Sequence, residues 1–154
     1  MIKPLFNPQD DPWVWAVGRY MLNMGAVEAT TRMLVIQISG SDSSPVFSDE
    51  LSSRLRYIRK RFPREPRDRH AWAMNIFTVT AKHAGFRNII AHSPLMFSAN
   101  QDGTLHINGI MNFTHKDSKN FGQIISLEEL TGRVDESAAI AKNLMDMHID
   151  FATK

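Results

Sequence analysis

Proline placement limits this chain more than any other feature. Pro12 directly follows Asp11, Pro63 and Pro66 bracket a short charged spacer, and Pro94 follows Ser93. Proline is accepted in the first turn of a helix but not in its interior, and it pushes the residue before it out of helical geometry. Long helices can therefore occupy the stretches between these points but cannot cross them. From Trp13 to about Ser39, Val14, Val17, Met21, Met24, Thr31, Val35 and Ile38 keep helical spacing, with Glu28 on the same seam. Gly40 to Pro45 reads as a loop. A second helix is predicted over Ser48 to Phe62, with Phe47, Leu51, Leu55, Ile58 and Phe62 as its seam and Ser48 as its cap. A third is predicted over about Arg67 to His92, on Trp72, Ile76, Val79, His83, Phe86 and Ile90.

Beyond Pro94 the period changes. Leu95, Phe97 and Ala99 alternate, as do Leu105, Ile107, Gly109, Met111 and Phe113, with the turn sequence Asn100-Gln101-Asp102-Gly103 between them. This is the pattern of a β-hairpin. Phe121 to Ile125 adds a third short strand. Ser126 with Glu129 forms a capping-box pattern that opens a last helix to about Phe151, with Gly132 as a place where it can break. The expected fold is mainly α: a four-helix bundle-like domain spanning residues 1–154, with a small β-hairpin at about 95–113 inserted before the last helix.

A hydrophobic share of 43% and a charged share of 22% suit a packed core. The chain has no cysteine, which excludes disulfides, thiolate metal sites and cysteine nucleophiles. The opening MIKPLFNPQDDP lacks a signal-peptide core, and no stretch approaches the ~20 apolar residues of a membrane span. A cytoplasmic protein without membrane partners is expected.

Charge is unevenly spread. The net charge is only +2, yet residues 54–70 hold eight lysines and arginines against two acids. Seven of the eight are arginine, the side chain suited to bidentate phosphate recognition. Arg54, Arg56, Arg59, Lys60, Arg61 and Arg64 are therefore candidate nucleic-acid contacts, with Tyr57, Phe62 and His70 interleaved as stacking groups. The plainer reading is that several of them form the wet face of the second helix.

The chemistry-bearing stretch is Phe86-Arg87-Asn88-Ile89-Ile90-Ala91-His92, at the end of the third helix. Arg87 and His92 lie ~140° apart around an ideal helix, while Asn88 and His92 share a face, as do His83 and Arg87. An arginine that binds phosphate and a histidine that exchanges a proton near neutral pH are the minimum kit for cleaving RNA without a metal. The plain structural alternative is an Arg87–Glu28 pair that orients helices, with His92 merely capping the last turn.

Arg-Asn-x-x-x-His at a helix end, with an acidic residue in an earlier helix, resembles the HEPN domain family. The resemblance implies an all-helical bundle, a homodimer and metal-independent endoribonuclease activity. It adds a protein antitoxin to RNA among the candidate partners, because some members are toxins silenced by a partner. By residue match, Arg87 and His92 are the implied catalytic pair, with Asn88 and Glu28 in support and His83 behind Arg87. The resemblance implies no cofactor, and His106, His115 and His148 have no metal-ligand spacing with a neighbour. The expected function is RNA binding with endoribonuclease activity. The alternative is a non-catalytic dimeric interaction module that binds protein or nucleic acid through the same groove.

Overall fold

The computed structural model describes residues 6–41, 46–47, 49–113 and 122–152. A 3-10 turn over Pro8–Asp10 leads into α1 (Asp11–Ser39). The first turn starts earlier than Trp13 because Asn7 and Asp10 cap it reciprocally: Gln9 N donates to Asn7 Oδ1 at 2.9 Å, and Asn7 N donates to Asp10 Oδ2 at 3.1 Å. Gly40, at φ 74°, ends α1 in the left-handed region that glycine tolerates.

α2 is Leu51–Arg61 and α3 is Arg67–His92. Ser48, expected as the α2 cap, lies outside the described residues; Glu50 holds the cap position and makes no side-chain capping bond. α3 stops where Pro94 forces Ser93 into extended geometry. Next come β1 (Leu95–Ala99), β2 (Leu105–Met111) and β3 (Ile124–Ile125), an antiparallel sheet in the order β1-β2-β3. The hairpin turn closes through Asn100 N to Thr104 O at 2.8 Å, with Gly103 at φ 78°. The third strand is shorter than expected, and Phe121 lies outside the described residues. α4 (Leu127–Ala152) opens with Glu129 N donating to Ser126 Oγ at 3.1 Å and runs through Gly132 without a break. No helix among the described residues is long and apolar enough to cross a membrane.

α1 packs most extensively on α4, and α2 packs against α1 and α3. Polar ties fix the α1–α4 alignment. Asn23 Nδ2 donates to Val134 O at 3.1 Å and to Ser137 Oγ at 3.0 Å, and Gln37 Nε2 donates to His148 O at 3.1 Å. The sheet is tied to the start of α1. Asp10, 1% exposed, accepts from Ile107 N at 2.7 Å, and Asn7 Nδ2 donates to Leu105 O at 2.6 Å. Both bonds satisfy the part of the β2 edge that β3 leaves uncovered.

Two seams are rotated from their expected positions. α1 buries Trp13, Ala16, Tyr20, Met24, Val27, Thr30, Thr31, Leu34 and Val35, and leaves Val14 exposed. Apolar residues occur on every side of α1, so spacing alone does not choose the inward face. In α3 the buried line runs through Ala73, Ile76, Phe77, Thr80 and His83, and Trp72 is turned outward.

Two glycines differ in a testable way. A Cβ at Gly109 would overlap Ile124 Cγ2 and meet Ile125 O at 3.4 Å, whereas one at Gly132 would meet nothing within 4 Å. Gly109→Val is expected to cost ~1–3 kcal/mol by overpacking. Gly132→Ala is expected to gain up to ~1 kcal/mol from helix propensity. Urea unfolding of the two variants beside the parent checks both signs.

Candidate functional site

α1, α2 and α3 enclose a cleft of about 510 Å³. α3 makes room for it with small residues, since Ala81, Ala84 and Gly85 line it and a Cβ on Gly85 would meet nothing within 4 Å. α1 contributes Glu28 and Arg32. The start of α2 contributes Leu51, Ser52 and Arg54, preceded by Asp49 and Glu50. Arg87 and Asn88 complete the wall from α3.

Glu28 sits between two guanidinium groups. Its Oε1 lies 3.7 Å from Arg87 Nε, and its Oε2 lies 3.9 Å from Arg32 Nη2. These distances exceed a hydrogen bond, and all three side chains are partly exposed. Each pair therefore contributes only ~0–1 kcal/mol. Arg87 also turns along its own helix, with Nη1 donating to Asn88 Oδ1 at 3.3 Å.

His92 is the last residue of α3. It is exposed, does not line the cleft, and has no side-chain partner among the described residues. By helical geometry it lies one turn beyond Asn88 on the same face. The structure thus brings Arg87, Asn88 and Glu28 together and leaves His92 beside them at the helix end.

His83 is a core residue, 1% exposed. Its Nε2 donates to Glu136 Oε2 at 3.0 Å, and Glu136 is held by Arg133 Nη1 at 3.1 Å. The Tyr20 hydroxyl stands 3.2 Å from His83 Nδ1 and donates to the His83 carbonyl oxygen at 3.1 Å. Arg133 lies 5.0 Å over the Phe86 ring, whose edge meets Tyr20. Burial pushes the Tyr20 hydroxyl well above its ordinary range. Burial also lowers the pKa of His83, and its hydrogen bond to Glu136 offsets only part of that shift.

The basic run divides. Arg56, Arg59, Lys60, Arg61 and Arg64 are exposed. Arg59, Lys60 and Arg61 lie in the last turn of α2, where cations suit the helix dipole. Arg61 covers the Tyr57 ring at 4.0 Å, Arg67 pairs with Glu65 at 3.5 Å, and Arg69 pairs with Asp150 at 3.0 Å. Phe62 is buried against Phe77 and Phe151, so it is no stacking platform, and His70 Nδ1 donates to Pro63 O at 2.9 Å.

Arg54 departs from the run altogether. It is 1% exposed, with Nε donating to Thr31 Oγ1 at 3.2 Å and Nη1 bonded to the Asp49 carbonyl oxygen. Its position was legible, since Leu51, Arg54, Leu55 and Ile58 follow the i, i+3, i+4, i+7 spacing of a buried face. Arg32 carries no comparable signal in the sequence. His115 lies outside the described residues. Among the described residues, no group of three or more histidines and acids is placed to hold a metal ion. Comparison with protein-family models, curated proteins and solved structures returned no match, so the functional reading rests on this geometry and on the Arg87–His92 motif.

The His83 shift carries a sign. The folded protein resists protonating His83, while the unfolded chain accepts a proton near pH ~6.5. Stability is therefore complete above that value and lost as pH falls below it. Urea unfolding between pH 7 and pH 5 is expected to show this loss in the parent and a shallower one in His83→Gln. Equal slopes would remove His83 from the account.

Proposed function

We propose that this protein is a HEPN-like, RNA-binding endoribonuclease, metal-independent and cytoplasmic, that works as a homodimer. One observation carries the reading. Arg87 and His92 start ~140° apart on α3, but the Arg87 guanidinium is drawn to Asn88, one turn from His92 on the His92 face. The pair can then act on one phosphodiester.

In this mechanism His92, unpartnered and exposed, accepts the proton of a ribose 2′-hydroxyl. The 2′-oxygen attacks phosphorus, the bond from phosphorus to the 5′-oxygen breaks, the leaving oxygen takes up a proton from water, and His92 gives its own proton back to solvent. Arg87 stabilises the charge that builds on the phosphoryl oxygens, while Glu28 and Asn88 hold its guanidinium. The exposed cations of α2 draw the RNA backbone to the protein.

The homodimer is supported by the outward face of α1. Trp15, Leu22 and Met33 are 54%, 71% and 45% exposed, and their spacing of seven and eleven residues puts them on one face. A two-fold axis crossing the outward face of α1, level along the helix with the buried Met24, sets Trp15 of each copy against Met33 of the other, and Leu22 against Ala26, large against small. A non-catalytic module using the same cleft is favoured by one fact, that His92 does not line it. The activity of the His92 variant separates the two readings.

Purified protein incubated with mixed RNA and chelator is expected to cut it. His92→Ala should lower the rate ~100- to 10,000-fold with RNA binding retained, and Arg87→Ala should weaken both. Parent-like cleavage by His92→Ala, or no cleavage under any condition, would contradict the nuclease.

Two further measurements check the surfaces. Replacing Arg56, Arg59 and Lys60 with glutamine should flatten the salt dependence of RNA binding, by ~0.7 log units per log unit of salt for each phosphate no longer neutralised. Light scattering should find Leu22→Glu monomeric where the parent is dimeric.

A further inference from the structure

We propose that the outward face of α3 is a track for a single RNA strand, running from the exposed cations beside its first turns to His92 at its end. Trp72, Thr78 and Lys82 are the contacts along the way. The proposal rests on the RNA-binding reading above and deepens it, because it fixes where the strand lies and how long it must be.

The first observation is a distance. His70 Nδ1 donates to Pro63 O at 2.9 Å, which holds the linker that carries Arg64 against the first turns of α3. Phe62 meets the Phe77 ring edge-on, so the last turn of α2, with Arg59 and Lys60, lies beside the same half of α3. Arg59, Lys60 and Arg64 are exposed and form no ion pair among the described residues. α3 has 26 residues, which puts its two ends ~37 Å apart. The cations that attract RNA and the histidine assigned to its cleavage thus stand at opposite ends of one helix. A strand held at both ends has to follow the helix between them.

The second observation is the surface that lies between. Ala71, Thr78, Gly85 and His92 are all exposed, and they recur every seven residues. That step drifts only ~20° around a helix, so the four form one line along α3. With alanine and glycine at two of the four positions, the line is low. Lys82 stands exposed beside it and has no ion pair among the described residues. Trp72 lies at the edge of the same face, 37% exposed although its residue type favours burial. An open indole is a stacking platform for an unpaired base, which makes the occupant a single strand rather than a duplex.

Charge favours the same path. No acid occurs on α3 from Arg69 to His92, whereas α4 carries six acids against two basic residues. The field of the two helices therefore turns a phosphate backbone away from α4 and admits it along α3. Acids at the margins are paired: Glu65 with Arg67 at 3.5 Å, Asp150 with Arg69 at 3.0 Å, and Glu136 with Arg133 at 3.1 Å. Asp68 stands in the first turn of α3, where it complements the helix dipole. A stacked strand advances ~3.4 Å per nucleotide, so the track takes about eleven nucleotides.

Fluorescence anisotropy of the full chain at fixed ionic strength tests the track. The probes are labelled 2′-O-methyl RNAs of about three to about sixteen nucleotides, a range that brackets single-strand sites. They have no free 2′-hydroxyl, so the proposed chemical step cannot cut them. Affinity is expected to rise with length to about eleven nucleotides and then to level off. Trp72→Ala should weaken binding of the long probes roughly five- to a hundred-fold, the range for one stacked base. Trp72→Phe, which keeps a ring, should retain most of the affinity. Lys82→Gln should lower the slope of log affinity against log salt by ~0.7. Thr78→Glu sets an acid on the line ~21 Å from His92 and should weaken the long probes roughly tenfold or more. Thr78→Gln, of the same size without the charge, should bind like the parent, as should Ala139→Glu on α4. The proposal is overturned if affinity stops rising by about five nucleotides, if a duplex of equal length binds as tightly, or if Thr78→Glu and Trp72→Ala bind like the parent. A protein that cuts RNA but is indifferent to length and to these variants keeps the nuclease and loses the track. One that cuts nothing but shows the length dependence and the losses keeps the track and loses the nuclease.

Discussion

α1 and α3 meet at few points, and the buried contact between Tyr20 and His83 sets how far apart they run. The tyrosine hydroxyl reaches across to the histidine ring and backbone, and the ring is anchored on its far side by Glu136 from α4. Three helices are thereby joined through one imidazole. One turn further along α3 stands Arg87, and just over two turns along α1 from Tyr20 stands Glu28; the helices run antiparallel, and the two side chains reach back across the tie to within 3.7 Å of each other. The small residues at Ala81, Ala84 and Gly85 then leave space where larger ones would close the bundle. The cleft thus follows from one buried polar contact combined with missing side-chain volume.

The sheet serves the same region from the other end. Ser93 N bonds Ile89 O at 2.9 Å to close α3, and Met111 N bonds Pro94 O at 3.1 Å, so the hairpin starts directly at the helix terminus. Asp10 and Asn7 pin β2 to the start of α1. The hairpin, whose Ile107 and Ile110 join the core, therefore also fixes the backbone that carries His92. His92 thus sits on backbone tied to the sheet while its side chain stays open to solvent.

Much of the fold was legible because proline, glycine and a change of period are local signals. Pro63, Pro94 and Gly40 mark helix ends, and the turn at Asn100–Gly103 marks the hairpin. The inward face of α1 was not legible. Trp15, Leu22 and Met33 point outward while Tyr20, Thr30 and Thr31 point inward, so hydrophobicity alone gives the wrong rotation. At the site, helical spacing and the motif group Arg87 and Asn88 with Glu28, and the apolar seam of α3 places His83 in the core. The partners of His83, Tyr20 and Glu136, depend on how three helices pack, which periodicity does not encode. Arg54 was obscured by its basic neighbours, although its i+3 spacing from Leu51 already placed it on the buried side of α2.

The proposed nuclease activity depends on a proton exchanged by His92 beside a phosphodiester held by Arg87. The ends of the RNA products test that claim most directly, read by mass spectrometry after digestion of a defined oligonucleotide. Attack by the ribose 2′-hydroxyl leaves a 2′,3′-cyclic phosphate on one fragment and a 5′-hydroxyl on the other, and these are the predicted ends. Fragments ending in 3′-hydroxyl and 5′-phosphate would mean that water, not the ribose, was the nucleophile, and would contradict the role given to His92.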